Sequence, residues 1–260
     1  MEYYLNNNQF AYRTGDSCTN ALLKIQHEFL QALDSNDNRA VRLFTMDFSK
    51  AFDRVKHNLL IEKLTQSPLN PYIVNWYVSF LSDRKLRVVC HNAVCDWKDV
   101  NRSTTQGSVS DLYLFNLFLN DLDVTQYCKD SDLTKYADDT SILVTVRKNS
   151  VDESQKAMNA FLEWTEVNGM SCNTSKCKEP CMTKKGVTLN FPPLCGIEQS
   201  DSFTLLGVIL QNDCKFSSHV KGKLREANKC LYILRSLRKD GYTQVEIEHL
   251  FKAIVLPKIT

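Results

Sequence analysis

Apolar and polar positions follow two periods along this chain, and the switches between them mark its elements. Across residues 19–33, Ala21, Leu22, Ile25, Phe29 and Leu33 recur at helical spacing, with Ser17 or Thr19 placed to cap the helix. Residues 41–47 read as a strand. Residues 59–64 and 72–81 predict helices parted by the breaker Pro68-Leu69-Asn70-Pro71. Residues 86–90 and 94–100 predict a hairpin around His91-Asn92-Ala93. Gln106-Gly107-Ser108 opens a helix carrying Leu112, Phe115, Leu119 and Leu122. Two further β-like runs, 133–135 and 141–146, flank a short break at Tyr136-Ala137-Asp138-Asp139. Residues 151–168 predict a helix with Gly169 as terminator. Short strands are expected near 179–182 and 203–209. A long helix over 215–239 places Phe216, Val220, Leu224, Ala227, Leu231 and Leu234 at helical spacing, and residues 243–255 close the chain. This order predicts an α+β protein with one boundary near 210–215, dividing residues 1–212 from residues 213–260.

Composition narrows the picture only slightly. The chain has 260 residues, 43% hydrophobic and 24% charged, enough for a sizeable core and one or two domains. The formal net charge is +2, but it is unevenly spread. From Lys215 onward, ten Lys/Arg face four Asp/Glu, a balance of +6, so the first 214 residues carry −4. An acidic body with a basic tail fits a metal site beside a polyanion-binding surface; a solvated helix face is the plainer alternative. The ten cysteines are scattered, and Cys172, Cys177 and Cys181 lack zinc-site spacing. The N-terminus is polar and no apolar run spans a bilayer, so an intracellular, reducing location in cytoplasm or nucleus is expected, without membrane association.

The chemistry concentrates at Asp138 and Asp139, read together with Asp47 about ninety residues upstream. A hairpin tip presents a carboxylate without covering it. If the strand ending at Asp47 is a neighbour of that hairpin, Asp47 and Asp138 meet. Clustered carboxylate oxygens suit Mg²⁺, a hard cation held by one or two carboxylates plus substrate phosphates. Two such ions clamp the attacking and leaving oxygens of a phosphoryl transfer.

Six ordered blocks carry a family resemblance from about residue 8 to residue 240. They are Asn8-Gln9-Phe10-Ala11-Tyr12-Arg13; the run from Phe44 through Asp47, Phe52 and Asp53 to Val55; Gln106-Gly107-Ser108-Val109; Tyr136-Ala137-Asp138-Asp139; Asn168-Gly169-Met170-Ser171 with Ser175-Lys176-Cys177; and Leu205-Leu206-Gly207-Val208. In these the chain resembles the reverse transcriptase domain of non-LTR retrotransposons of the jockey-like kind. The resemblance implies a right-hand polymerase palm, an antiparallel sheet backed by helices, with partial fingers and a helical thumb-like C-terminal segment. It implies RNA-directed DNA polymerisation with two Mg²⁺ ions, Mn²⁺ being the alternative, an RNA template, a DNA primer and deoxynucleoside triphosphates.

Residue by residue, the resemblance makes Asp47 and Asp138 metal ligands and Asp139 the second hairpin carboxylate. Phe52 becomes the ring beneath the incoming sugar that excludes a 2′-OH, where core packing is the plain alternative. Gln106 and Gly107 become the nucleotide-positioning turn, and Lys176 a proton donor to the leaving pyrophosphate, with a surface lysine as the alternative. Arg13 matches a position near the template path, with a plain surface role as the alternative, and Asp53 reads as a capping residue. The pattern is broken at Ser103-Thr104-Thr105 and Asp111-Leu112-Tyr113-Leu114, where the family usually carries prolines. The fingers segment that normally precedes the Gln-Phe block is not in the sequence. A truncated, non-catalytic relic that binds nucleic acid is therefore the rival reading. A metal-dependent phosphohydrolase is a third, opposed by the lack of histidine near the aspartates.

Overall fold

The computed structural model describes residues 4–91, 93–104, 107–183, 191–194, 196–213 and 215–259. These form two compact units, residues 1–200 and Asp201–Thr260. The division falls ahead of the expected 212/213 boundary. The hairpin at 202–211 belongs with the long helix that follows it, because Ile209 N–H donates to His219 Nδ1 (3.3 Å) and Ser218 N–H to Gln211 Oε1 (2.9 Å).

In the first unit, α1 (Cys18–Asp34) is capped by Ser17, whose side chain accepts from Asn20 N–H. Then come β1 (Asn38–Met46), the single turn α2 (Ala51–Arg54), α3 (His57–Gln66) and α4 (Pro71–Leu81). Lys50, not Asp53, occupies the N-cap position of α2. The predicted hairpin forms as two short ladders, β2 (Lys85–Leu86) with β5 (Lys98–Asp99) and β3 (Val89–Cys90) with β4 (Ala93–Val94). α5 (Val109–Phe118), β6 (Ser131–Tyr136), β7 (Asp139–Arg147) and α6 (Ser154–Val167) follow. α6 ends in a Schellman arrangement: Gly169 takes φ +67°, Met170 N–H bonds Thr165 O (2.8 Å) and Gly169 N–H bonds Glu166 O (3.0 Å). The unit closes with β8 (Lys178–Glu179), β9 (Cys181–Thr183) and β10 (Glu198–Gln199).

The main sheet runs β10-β8-β1-β7-β6, with β9 also pairing β1, and every pairing but β10–β8 is antiparallel. β1 is central and buried on both faces, which is why its apolar run is nearly unbroken. Phe44, Met46, Ile142 and Val144 enter the larger core with Leu60 and Leu64 of α3, Leu114, Phe115 and Phe118 of α5, and Phe161 of α6. α1 packs on β1, β6 and β7 with Ala21, Ile25 and Phe29 buried.

Among the described residues of this unit, Lys135 and Arg42 are buried cations. Lys135 of β6 is fully buried and donates to Leu119 O (2.9 Å) and Leu122 O (3.1 Å), taking up carbonyls just past the C-terminus of α5. Burial pushes its ammonium down to about 8, against the pull of Asp121 and Asp123. Arg42 of β1 is 2% exposed and pairs with both Asp152 and the fully buried Glu179. Its guanidinium also donates to Pro192 O (2.9 Å), and Glu179 accepts from Leu194 N–H (2.9 Å). One side chain thus ties β1, β8, the 191–194 segment and the start of α6 together.

The second unit is a hairpin, β11 (Ser202–Leu205) and β12 (Val208–Gln211), followed by α7 (Ser217–Lys239), α8 (Gln244–Leu250), a π-helical turn (Phe251–Val255) and α9 (Leu256–Ile259). The expected single strand at 203–209 is interrupted because Leu206 and Gly207 both take positive φ, +46° and +82°, reversing the chain in two residues. Its core is Ala227, Leu234 and Val255, flanked by Leu231, Leu237, Ile247 and Leu250. Within this unit only the C-terminal half of α7 is buried by the returning helices. Val220 and Leu224, expected on the buried stripe, are each 52% exposed.

Replacing Arg42 by Leu leaves Glu179 buried without its cation and is expected to cost about 3–5 kcal/mol of unfolding free energy in urea titrations. The double change Arg42→Leu/Glu179→Leu is expected to recover about half of that loss or more. A single variant within 1 kcal/mol of wild type, on the order of an exposed pair, would contradict the tie.

Candidate active site

The hairpin β6–β7 turns through Ala137 and Asp138 alone. A two-residue hairpin turn needs positive φ, and Ala137 supplies it at +53° without being glycine. Tyr136 pairs with Asp139 across the turn, so the two carboxylates stand at the tip and at the first rung. On the next strand, Met46 is opposite Thr140. One residue further, Asp47 leaves β1 in register with Asp139. Asp47, Asp138 and Asp139 therefore share one end of the sheet.

Their electrostatics agree. The Asp139 carboxyl is raised above the ordinary carboxylate range, first by loss of hydration and then by the charges of Asp138 and Asp47, while Lys176 opposes the shift. Asp47 is partly buried, and its Oδ2 has no hydrogen bond within the protein. The exposed Lys176 ammonium lies 3.4 Å from that oxygen, an ion pair without hydrogen-bond alignment. Lys176 arrives there because its loop is pinned to the stretch after β1. Ser49 N–H bonds Ser171 O (2.8 Å), Asn173 N–H bonds Asp47 O (2.7 Å), and Phe48 bridges Cys172. Cys172 and Cys177 close the same loop thiol to thiol at 3.5 Å.

Phe52 is half-buried at the margin of the core, its ring stacked on Phe115 at 4.2 Å between centroids and 27° between planes. Gly107 takes φ +95°, a conformation that favours glycine. Gln106 lies outside the described residues. Just beyond this turn, in the first turn of α5, Asp111 is buried with Oδ1 unpartnered. Arg13 turns inward and donates to Asn6 O (2.9 Å) and Gln9 O (3.2 Å), so it braces its own loop.

Two residues near the carboxylates were not singled out by spacing. Tyr12, at φ +58°, has its phenol raised by burial and then by Asp138 and Asp111. Gln9 is buried against the Ala137 backbone. Both lie in the Asn8–Arg13 block, so the signal was that block, not a chemical type.

Among the described residues no group of three or more His, Cys, Asp or Glu forms a ready metal cage. The donor set still fits a hard divalent cation of the Mg²⁺ kind. Such ions use few protein carboxylates and complete their shell with water and phosphate. The unsatisfied Asp47 Oδ2 and the crowded Asp139 are acceptors that a cation would satisfy.

The raised Asp139 carboxyl sets a sign for stability. The folded protein holds this proton to higher pH than the unfolded chain, so stability falls as pH rises from the ordinary aspartate value, about 3.9, through the raised one. In metal-free buffer, Asp139→Asn is expected to raise the melting temperature at pH 7 and leave it nearly unchanged at pH 3.5. An equal or lower melting temperature at pH 7 would show that the carboxylates do not repel.

The family model for reverse transcriptase (RNA-dependent DNA polymerase) matches residues 3–210. The probable RNA-directed DNA polymerase from transposon X-element of Drosophila melanogaster is 32% identical over 82% of this chain and 24% of its own length. The RNA-directed DNA polymerase from mobile element jockey of Drosophila funebris is 28% identical over 96% of this chain and 28% of its own length. The chain thus spans about a quarter of the length of these relatives. Among solved structures, apo telomerase from Candida tropicalis superposes with a TM-score of 0.55 at 13% identity, over 81% of this chain and 37% of that one. The same telomerase with a fragment of telomeric RNA gives 0.57 at 13% identity, over 81% of this chain and 34% of that one. These likenesses bear on the fold, an α+β palm with an antiparallel-dominated sheet. With the family model spanning most of its length and its carboxylates gathered at one end of that sheet, this chain belongs to the reverse transcriptase family, and its relatives are polymerases of non-LTR retrotransposons.

Proposed function

We infer that this chain is the polymerase module of a retrotransposon and that it performs RNA-directed nucleotidyl transfer. A primer 3′-OH attacks the α-phosphate of a deoxynucleoside triphosphate, and pyrophosphate leaves. The observation that carries this reading is the convergence of Asp47, Asp138 and Asp139 at one end of the sheet with Lys176 3.4 Å from Asp47.

Asp47 and Asp138 are the residues that would hold Mg²⁺, with Asp139 as supporting charge. Two bound Mg²⁺ ions would supply Lewis-acid stabilisation of the attacking and leaving oxygens. Lys176, exposed and 3.4 Å from Asp47, would give a proton to the departing pyrophosphate. Phe52, braced on Phe115, would fill the space of a 2′-OH and so favour deoxyribose. Gln106 and Gly107 would let the backbone approach the nascent base pair, since a glycine at φ +95° keeps that turn free of a side chain. The RNA template and DNA primer would be held mainly through their backbones. Lys221, Arg225 and Lys229 of α7 support a role in that holding: all three are exposed and lie four residues apart on one helix face.

Extension of an oligo(dT) primer on poly(rA) with Mg²⁺ tests the reading, with Asp138→Asn as the blank. Extension by wild type and a loss of at least about 10³-fold in the variant is the expected outcome, since transition-state charge would lose its main support. Primer–template binding without extension above the blank would reduce the chain to a nucleic-acid-binding relic.

In the same assay Phe52→Ala is expected to raise ribonucleotide incorporation relative to deoxyribonucleotide by about tenfold or more. Unchanged discrimination would return Phe52 to core packing.

A further inference from the structure

Ala137 bears a conformation that its residue type resists. At φ +53° an alanine Cβ crowds the following carbonyl, and non-glycine residues hold this region only when their surroundings impose it. The side chain that bonds this residue is distant in sequence. Gln9 is 2% exposed, and its Oε1 accepts from Ala137 N–H at 3.2 Å and from Ala11 N–H at 3.0 Å. Its Nε2 reaches back to Ala137 O at 3.5 Å, so one carboxamide addresses both backbone groups of the turn residue.

The carboxamide is itself fixed. Phe10 N–H donates to Lys135 O (2.9 Å) and Lys135 N–H to Asn8 O (2.7 Å), which lays the segment along the outer side of β6. Gln9 N–H bonds Asn6 O (3.0 Å), Arg13 braces Gln9 O, and Asn116 Nδ2 of α5 donates to Ala11 O (2.7 Å). A buried amide held on this many sides has no freedom to follow a wandering turn. Ala137 instead follows it, and the next residue is Asp138.

We propose that Gln9 is a positioning residue for the catalytic turn: its side chain clamps Ala137 in the left-handed conformation and so sets the direction in which the Asp138 carboxylate leaves the hairpin. Gln9 touches no substrate and acts through the backbone of Ala137. The proposal rests on the polymerase reading above for its consequence, but its geometry does not. Displacement of a ligand by about 1 Å costs on the order of 10²-fold in rate, which sets the scale expected when the clamp is removed.

Gln9→Met keeps the length and volume of the side chain and removes both polar ends. The test uses the whole 260-residue chain and Mn²⁺ as the probe ion, its affinity read by electron paramagnetic resonance, alongside kcat and KM for primer extension. Gln9→Met is expected to weaken Mn²⁺ binding about tenfold and lower kcat about 10²-fold, with KM for primer–template within about threefold of wild type. Ala137→Gly, which takes positive φ without crowding, is expected to return Mn²⁺ affinity in the Gln9→Met/Ala137→Gly pair to within about threefold. Should Gln9→Met alone not fold, Ala137→Gly and the double variant give the same comparison.

Lys24→Ala is the control for general loss of stability. Lys24 pairs with Asp132 and bonds Leu133 O and Thr134 Oγ1 on the same strand, away from the turn. Its variant is expected to melt earlier and keep its Mn²⁺ affinity. Wild-type affinity and turnover in Gln9→Met would overturn the proposal while leaving the polymerase reading intact. So would equal losses in Lys24→Ala at a matched melting temperature, or a double variant no better than Gln9→Met. Wild-type protein that binds Mn²⁺ but extends no primer would overturn the polymerase reading alone, with the affinities still deciding the role of Gln9. Wild-type protein that binds no Mn²⁺ would overturn both.

Discussion

The pairing of β1 with β7 is the constraint on which the rest depends. From Ala40 opposite Val146 to Met46 opposite Thr140, two central strands run in unbroken antiparallel register. Side chains alternate at a period of two, so a slip of one residue would turn Phe44 and Met46 out of the larger core. The same slip would separate Asp47 from the end of β7 where Asp139 begins. Burial of the apolar positions therefore enforces the alignment of the carboxylates. The packing energy that holds the sheet together holds the site together as well.

Charged groups placed inside this unit extend that logic beyond the sheet. Lys135 is buried yet satisfied: its ammonium gathers the carbonyls of Leu119 and Leu122, and its backbone pairs with Asn8 and Phe10. It links the exit of α5, the N-terminal segment and β6 a short step from the Ala137-Asp138 turn. Arg42 does the corresponding work on the far side of β1. It joins Glu179, Asp152 and Pro192 O, which lie far apart in sequence. Buried ions of this kind add little net stability over an apolar core, but an unpaired one is costly, so they penalise misassembly.

The open end of the sheet stands in contrast. There, three carboxylates gather with one exposed lysine, one oxygen of Asp47 lacks a hydrogen bond, and Asp139 is pushed toward its protonated form. An alanine is held left-handed in the turn between them. A fold that minimised its own free energy would avoid all of these features. Perturbed carboxylates and a strained backbone gathered at one end of the sheet mark that end as the candidate site.

Periodicity along the chain found the longer elements that build this scaffold, but not the single turn α2 or the short edge strand β10. The strand ending at Asp47, the helix ended by Gly169 and the two strands around Asp138 are local, and local sterics and burial determine them. The ordered motif blocks were legible for the same reason, since each is a short run read in place. What the tertiary structure alone decided is which distant pieces meet. Asp47 faces Asp139 because of a strand register, and Lys176 approaches Asp47 because residues 171–173 are bonded to residues 47–49. Gln9 and Tyr12 come to the turn because the N-terminal segment runs along β6. The same limit explains the misreadings. Leu205-Leu206-Gly207-Val208 carries a continuous apolar run through a reversal, and the apolar stripe of α7 continues into Val220 and Leu224, which are exposed. A side chain's period reports that it faces a partner; the identity of the partner is set by contacts between residues far apart along the chain, which no local pattern encodes.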